Sequence, residues 1–354
     1  MSLLLSPGPV RVPEEVLLEQ AKPMITHRSK GFTELYGNLC TRLKTYLNSE
    51  EVYVLTGSGT LANETNVLNC CRPKEKMLVL SNGEFGERLA EIAEVYGTLE
   101  KHTIPAGKGW DLAKAKSIID KSDATVFAMV YNETGYGVRN HAKEIFQYAK
   151  KKGMMTIMDS VSGWPSLPFD QKEFMVDFFG TASQKAIGAP PGMGIVSLSK
   201  DAIERIESRD KIPSVYCDLR KHRKHYLKNQ QTPNTPAISV YYALRKCLDM
   251  IDREGGIGKW SEKHKAISEY TQSRVKELGF KLIPEPGFES WALTAFYCDN
   301  ADEVKKAMQE KYKITIVGCK GELNGKGLRI AHMGNFQKED IDFCLNALEK
   351  VVKK

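Results

Sequence analysis

The sequence predicts an α/β protein with a mostly parallel sheet, followed by a smaller α+β unit. Three observations lead there. Between residues 51 and 198, short apolar runs alternate with helical stretches, the pattern of repeated βαβ units. From about residue 236 the texture changes to long amphipathic helices, a group of short strands and a closing helix. The chain has 354 residues, above the roughly 250–300 at which a single core stops growing, so two domains are expected.

Each element has a local reason. Pro7, Gly8, Pro9 and Pro13 make residues 1–15 an irregular arm, with a helix starting near Glu14. Leucines at 35, 39, 43 and 47 fall on one face of a helix over 33–49, following the helical period. The β-branched run EVYVL ends in Gly57-Ser58-Gly59-Thr60, and Leu61–Asn69 reads as a helix. MLVLSNG is a strand, and FGERLAEIAEVYG is an amphipathic helix stopped by Gly97. TVFAMVYNETG, the helix AKEIFQYAKKKG, and then MMTIMDS, DFFGTAS and GIVSLS complete the alternation. These runs are almost continuously apolar, as fits strands covered on both faces. AISVYYALRKCLDMIDREGG and Ser261–Leu278 read as long helices, LTAFYCD, KITIVG and LRIAHMG as strands, and KEDIDFCLNALEKVVKK as the last helix.

Composition narrows the function classes. Apolar residues make up 42% and charged residues 27%, which excludes disorder, collagen and coiled coil for the whole chain. No apolar run approaches a membrane span. MSLLLSPGPV lacks a basic leader and breaks at proline, so no signal peptide is expected and the protein is placed in the cytoplasm. The eight cysteines contain no CxxC pair, so no metal site is expected and the cysteines read as buried thiols. Of the net charge of +7, residues 218–228 (DLRKHRKHYLK) hold +4. That run could bind nucleic acid, but it reads better as the solvated face of a helix or loop, and no nucleic-acid partner is expected.

Three features fall at predicted strand ends, where open α/β sheets bind ligands. Ser58, Gly59 and Thr60 stand between a strand and a helix, where first-turn amides make an anion cradle. Asp159 closes the apolar MMTIM; a buried carboxylate there needs a partner. Lys185 follows DFFGTASQ and precedes a Gly- and Pro-rich loop. A lysine so placed can have a lowered pKa and attack carbonyls. A phosphate cradle, a carboxylate for a pyridinium nitrogen and a lysine for a Schiff base together suggest pyridoxal 5′-phosphate.

The stretch from Val176-Asp177 through Ser183-Gln184-Lys185 to Gly192 and Gly194 resembles the lysine-attachment pattern of class V aminotransferases. The chain is similar to the alanine–glyoxylate and serine–pyruvate branch of the fold-type I pyridoxal-phosphate enzymes. The resemblance runs through LLLSPGPVRVP, MITHRS, LTGSGTLANE, NGEFGER, NETGYGV, MDSVSGW and LRIAHMG, and includes the 26-residue gap from Asp159 to Lys185. It implies a large cofactor domain over 16–255 with a seven-stranded sheet, and a small domain over 256–354. It also implies roles. Lys185 carries the cofactor and shuttles a proton between the substrate Cα and C4′. Asp159 pairs with the ring nitrogen, Val161 packs under the ring, and Phe85 stacks on it where many relatives have tryptophan. Ser58, Gly59, Thr60 and Gln184 hold the phosphate, and Thr134 bonds near the phenolic oxygen. Arg329 grips the substrate carboxylate, and the backbone of Gly8 borders its pocket. In Gln231–Pro236, Asn234 and Thr235 reach the phosphate of a partner subunit, which makes the enzyme a homodimer with its active sites at the interface. Relatives carry Tyr-His-His-Thr-type residues in that segment.

The implied reaction is transamination between alanine or serine and glyoxylate or pyruvate, in two half-reactions. His27 and Arg28 could receive a second anionic group. That would favour aspartate with 2-oxoglutarate or, less readily, a phosphonate or phosphoserine substrate. A cysteine desulfurase would need a histidine where Gln184 stands and a mobile cysteine, whereas Cys319 lies in an apolar strand-like run. Intact Lys185, Asp159 and Arg329 argue against a chain that keeps the cofactor only as scaffold.

Overall fold

The computed structural model describes residues 2–353. Seven strands form the central sheet: β1 (Glu51–Gly57), β2 (Lys76–Ser81), β3 (Thr98–Thr103), β4 (Val126–Val130), β5 (Met155–Asp159), β6 (Phe178–Ala182) and β7 (Gly192–Leu198). Their spatial order is β1-β7-β6-β5-β4-β2-β3. Strand β7 is antiparallel to both neighbours, and every other pairing is parallel.

The near-continuous apolar runs have the cause the sequence suggested. In β4, Val126, Ala128 and Val130 enter one core while Phe127 and Met129 enter the other; in β6, Phe178 and Phe179 divide in the same way. Successive side chains point to opposite faces, so a strand covered on both sides must be apolar at every position. One face carries the helices Lys30–Leu47, Ala142–Lys151 and Ile238–Arg253, and the other carries Gly59–Cys70, Glu84–Tyr96 and Lys200–Glu207. Strand β3 escaped the sequence reading because TLEKHT is polar. It lies at the sheet edge with every residue half-buried or exposed, where burial does not impose an apolar run.

A second core joins the three-stranded antiparallel sheet of Leu293–Tyr297, Gly327–Ala331 and Val317–Gly318 to the helices Gly256–Glu277, Ala301–Tyr312 and Lys338–Val352. Two expectations change here. KITIVG is not one strand: Ile314–Thr315 pairs with Leu3–Leu4, and Val317–Gly318 pairs with Gly327–Ala331. The arm is correspondingly less irregular than its prolines suggest, because Leu3 and Leu4 add a parallel strand to this unit before the chain breaks at Pro7. All eight cysteines are buried thiols. Among the described residues no helix is long and apolar enough to cross a membrane.

The sheet register prepares the site. Val130, Asp159 and Gly180 are lateral neighbours on β4, β5 and β6, and Gly57 pairs with Gly192. The loops leaving β1, β5 and β6 therefore emerge along one edge, where ligands of parallel sheets collect.

Candidate active site

A cavity of about 320 Å³ opens at that edge. It gathers Gly8, Ser58, Gly59, Thr60, Phe85, Asp159, Val161, Gln184 and Lys185, from segments far apart in the chain. Ser58 caps the helix Gly59–Cys70, so the first-turn amides, which have no partner within a helix, face outward.

Lys185 is held from two sides. The Ser183 hydroxyl donates to the Pro190 carbonyl at 2.7 Å and the Gly188 amide to the Lys185 carbonyl at 2.9 Å, which folds the loop after β6 back on itself. The arm crosses above: the Val10 amide donates to the Gln184 carbonyl at 3.2 Å, and Lys185 Nζ donates to the Pro7 carbonyl. Gly8 lies in this crossing with φ +112°, and a Cβ there would stand 2.5–2.7 Å from Lys185 Cδ, Cε and Nζ. Only glycine tolerates both the conformation and the approach. Lys185 is 8% exposed. Burial, reinforced by the positive charge of Arg329 and opposed by Asp159, pushes its amine down to about 8, as desolvation of an ammonium requires.

Asp159 is 4% exposed. Its Oδ1 accepts the Val161 amide at 2.8 Å. Burial pushes the carboxyl up to about 6, and the Val161 amide, the Asn63 side chain and Lys185 draw it back down. At neutral pH the cavity thus presents a carboxylate and an amine of depressed basicity.

A family model described as aminotransferase class-V matches residues 11–322. This chain belongs to the class V aminotransferases. It is 32% identical to an aminotransferase of Methanocaldococcus jannaschii over 99% of this chain and 93% of that protein. It is 28% identical to the L-aspartate–glyoxylate aminotransferase of Paracoccus denitrificans over 93% of this chain and 85% of that protein. A solved alanine–glyoxylate aminotransferase from a Nostoc species superposes with a TM-score of 0.95 at 27% identity, covering 99% of this chain and 95% of the other. The class is pyridoxal-phosphate-dependent, and the chain has its fold.

In this aminotransferase, Arg329 and Thr134 sit beside the cavity rather than in its lining. Arg329 is 4% exposed; its Nη1 donates to the Thr134 carbonyl at 2.8 Å, and its Nε and Nη2 donate to the Gly318 carbonyl at 2.9 and 2.7 Å. These acceptors are neutral, so the guanidinium is fixed in place without an ion pair among the described residues; burial lowers its basicity, and Cys319, Glu84 and Glu133 act against that at longer range. The Thr134 hydroxyl donates to Ser162 Oγ at 2.5 Å.

His27, Arg28, Asn234 and Thr235 are not brought into this chain's cavity. Within this chain Arg28 faces another segment instead. Its guanidinium is spent on Gln231 Oε1 at 3.3 Å and on the carbonyls of Thr232 at 2.7 Å and Pro233 at 3.2 Å. It therefore braces the segment that precedes Asn234. His27 is half-buried beside it, with burial and Arg28 lowering its basicity.

The sequence reading missed Glu133. It is fully buried; Oε2 accepts the amides of Phe85 at 3.0 Å and Gly86 at 3.2 Å, and Oε1 accepts that of Gly135 at 2.7 Å. It anchors the first turn of the helix that brings Phe85 into the cavity. Burial pushes its carboxyl up to about 7 against those three bonds. The signal was available: Glu133 follows the apolar run VFAMVYN just as Asp159 follows its own. The basic run 218–228 forms the helix Leu219–Asn229, where Arg220 pairs with Asp218 at 2.9 Å and Arg223 with Glu51 and Glu207 at 3.1 Å each.

Proposed function

We propose that this aminotransferase moves an amino group between a small amino acid, alanine or serine, and a 2-oxo acid such as glyoxylate or pyruvate. One observation carries the reading: a buried amine of lowered basicity, a buried carboxylate and the open first turn of a helix share a single cavity. The donor set fits pyridoxal phosphate. The first-turn amides at Gly59 and Thr60 suit a phosphate, and the buried Asp159 carboxylate in the same cavity suits a protonated ring nitrogen.

When bound, pyridoxal phosphate supplies an aldehyde that accepts the amino group and a ring that draws off electrons. Asp159 would hold a proton on the ring nitrogen, while Phe85 and Val161 would pack against the two ring faces. Ser58, Gly59, Thr60 and Gln184 would hold the phosphate. Lys185 would hold the group through its aldehyde and, once freed by the incoming amino donor, would take the proton from the donor's Cα as a free amine; an amine of basicity lowered to about 8 is well matched to that work. Arg329, charged and already oriented, would bind the substrate carboxylate with its remaining donors. Asn234 and Thr235 would complete the phosphate site of a second copy, so the working unit would be a homodimer. Residues 16–255 would form the large domain and 256–354 the small one.

The purified protein is expected to be yellow and to bleach on borohydride reduction, leaving cofactor mass on the Lys185 peptide; Lys185→Ala abolishes that adduct. A wild type that takes up no pyridoxal phosphate under any loading condition refutes the reading. A panel of amino donors against glyoxylate, pyruvate and 2-oxoglutarate tests the substrate. Aspartate is the second candidate, supported by the Paracoccus relative.

A further inference from the structure

The mechanism above leaves one charged group in the cavity without work. Arg88 lines it together with Ser58, Thr60 and Asn63. It lies one helical turn beyond Phe85, with its guanidinium carbon 4.9 Å from the Phe85 ring centroid, a stacking distance that restrains the plane of the fork. Its hydrogen bond to a side chain is long, 3.4 Å from Nη2 to Glu84 Oε1, and Lys320 also approaches Glu84, at 3.8 Å. A guanidinium carries five N–H donors, so among the described residues most of this one's capacity is without a side-chain partner. The side chain is 40% exposed and close enough to the centre to act by charge on both Asp159 and Lys185. Among the charged side chains lining the cavity, Lys185 and Arg88 are positive and Asp159 is negative. The lining thus has a net positive charge even with Asp159 ionised.

We propose that Arg88 is an oxyanion-binding residue of this cavity. The anion has one chemistry and two sources: the phosphate of the cofactor, or the distal carboxylate of a dicarboxylic amino donor. The proposal rests on the pyridoxal-phosphate reading above.

The experiment measures Arg88→Gln and Arg88→Lys against wild type in three ways. Dissociation constants are determined by absorbance for pyridoxal phosphate and for unphosphorylated pyridoxal. KM is determined for alanine and for aspartate on the loaded enzyme. Thermal unfolding of the cofactor-free protein monitors the fold. Removing a charged hydrogen-bonding group costs roughly ten- to a hundred-fold in affinity for its partner. A loss of that size for pyridoxal phosphate but not pyridoxal assigns the phosphate. Unchanged cofactor binding with KM raised for aspartate and not alanine assigns the distal carboxylate. Arg88→Lys, which keeps charge but not the planar fork, is expected to lose less in either case, and it carries the test if the glutamine variant unfolds. Equal losses for both aldehydes and both donors, or no loss at all, overturn the proposal. A wild type that binds neither aldehyde refutes the underlying reading as well, an outcome distinct from a variant that merely equals it.

Discussion

Lys185→Met should make the cofactor-free protein more stable, by an amount that depends on pH in a defined direction. The amine is buried and its pKa falls from 10.5 to about 8. At about 1.4 kcal/mol per unit, keeping the ammonium buried costs on the order of 3 kcal/mol. Methionine fills similar volume without charge. Two effects subtract from the gain: the bond to the Pro7 carbonyl is lost, at about 1 kcal/mol, and Asp159 loses a favourable neighbour. A net gain of about 1–2 kcal/mol is expected at pH 7. The sign with pH follows from linkage. Below pH 8 the lysine is charged in both folded and unfolded chains, and the full cost is present. Between pH 8 and 10.5 the unfolded chain binds the extra proton, so wild-type stability rises relative to the variant and the gap closes. Urea unfolding of both proteins, stripped of cofactor, at pH 7 and pH 10 measures this. A gap that stays constant, or a variant less stable at pH 7, refutes the argument that the site stores an energetic cost in its lysine.

Three other perturbations separate the parts of the site. Gly8→Ala forces a Cβ into a φ of +112° and against the Lys185 side chain. It should lower stability by about 1–2 kcal/mol from backbone strain and weaken cofactor capture at least ~10-fold, read from visible absorbance; unchanged capture would mean the arm does not position the amine. Glu133→Gln presents an amide nitrogen to one of the N–H groups of Phe85, Gly86 or Gly135. It should cost about 1–3 kcal/mol, checked by the denaturation midpoint at pH 8, above the carboxyl's value of about 7. Arg28→Ala removes the three contacts bracing residues 231–233. Reduced pyridoxal-phosphate affinity with the cavity residues untouched is expected, and sedimentation should show less of the proposed dimer than in wild type; no change in either would separate that segment from the cofactor.

The buried carboxylate at Glu133 has the opposite linkage to Lys185. Its raised value means that the folded chain binds the extra proton between pH 4.5 and 7, so the cost of burying its charge appears as pH rises through 7. The three amides it accepts offset part of that cost. The cavity and the turn behind it therefore hold two carboxyls and one amine, Asp159, Glu133 and Lys185, at about 6, 7 and 8.

The sequence by itself determined the parallel sheet and the placing of Lys185, Asp159 and the Ser58–Thr60 turn at strand ends. Strand periodicity is local, and a charged residue closing a doubly buried apolar run is visible without coordinates. Family resemblance supplied Arg329 and Gly8, which no local pattern marks. Only the tertiary structure decided which cations face the cavity. Arg28 is exposed in a turn and Arg88 half-exposed on a helix, and nothing near either one in the chain says that the first bonds carbonyls some 200 residues away while the second has one long side-chain bond among the described residues. The pairing of Leu3–Leu4 with Ile314–Thr315 and the grip of Pro7 on Lys185 are likewise contacts between distant segments. Their partners are chosen by how the two units pack, a global free-energy balance that a window of residues does not contain.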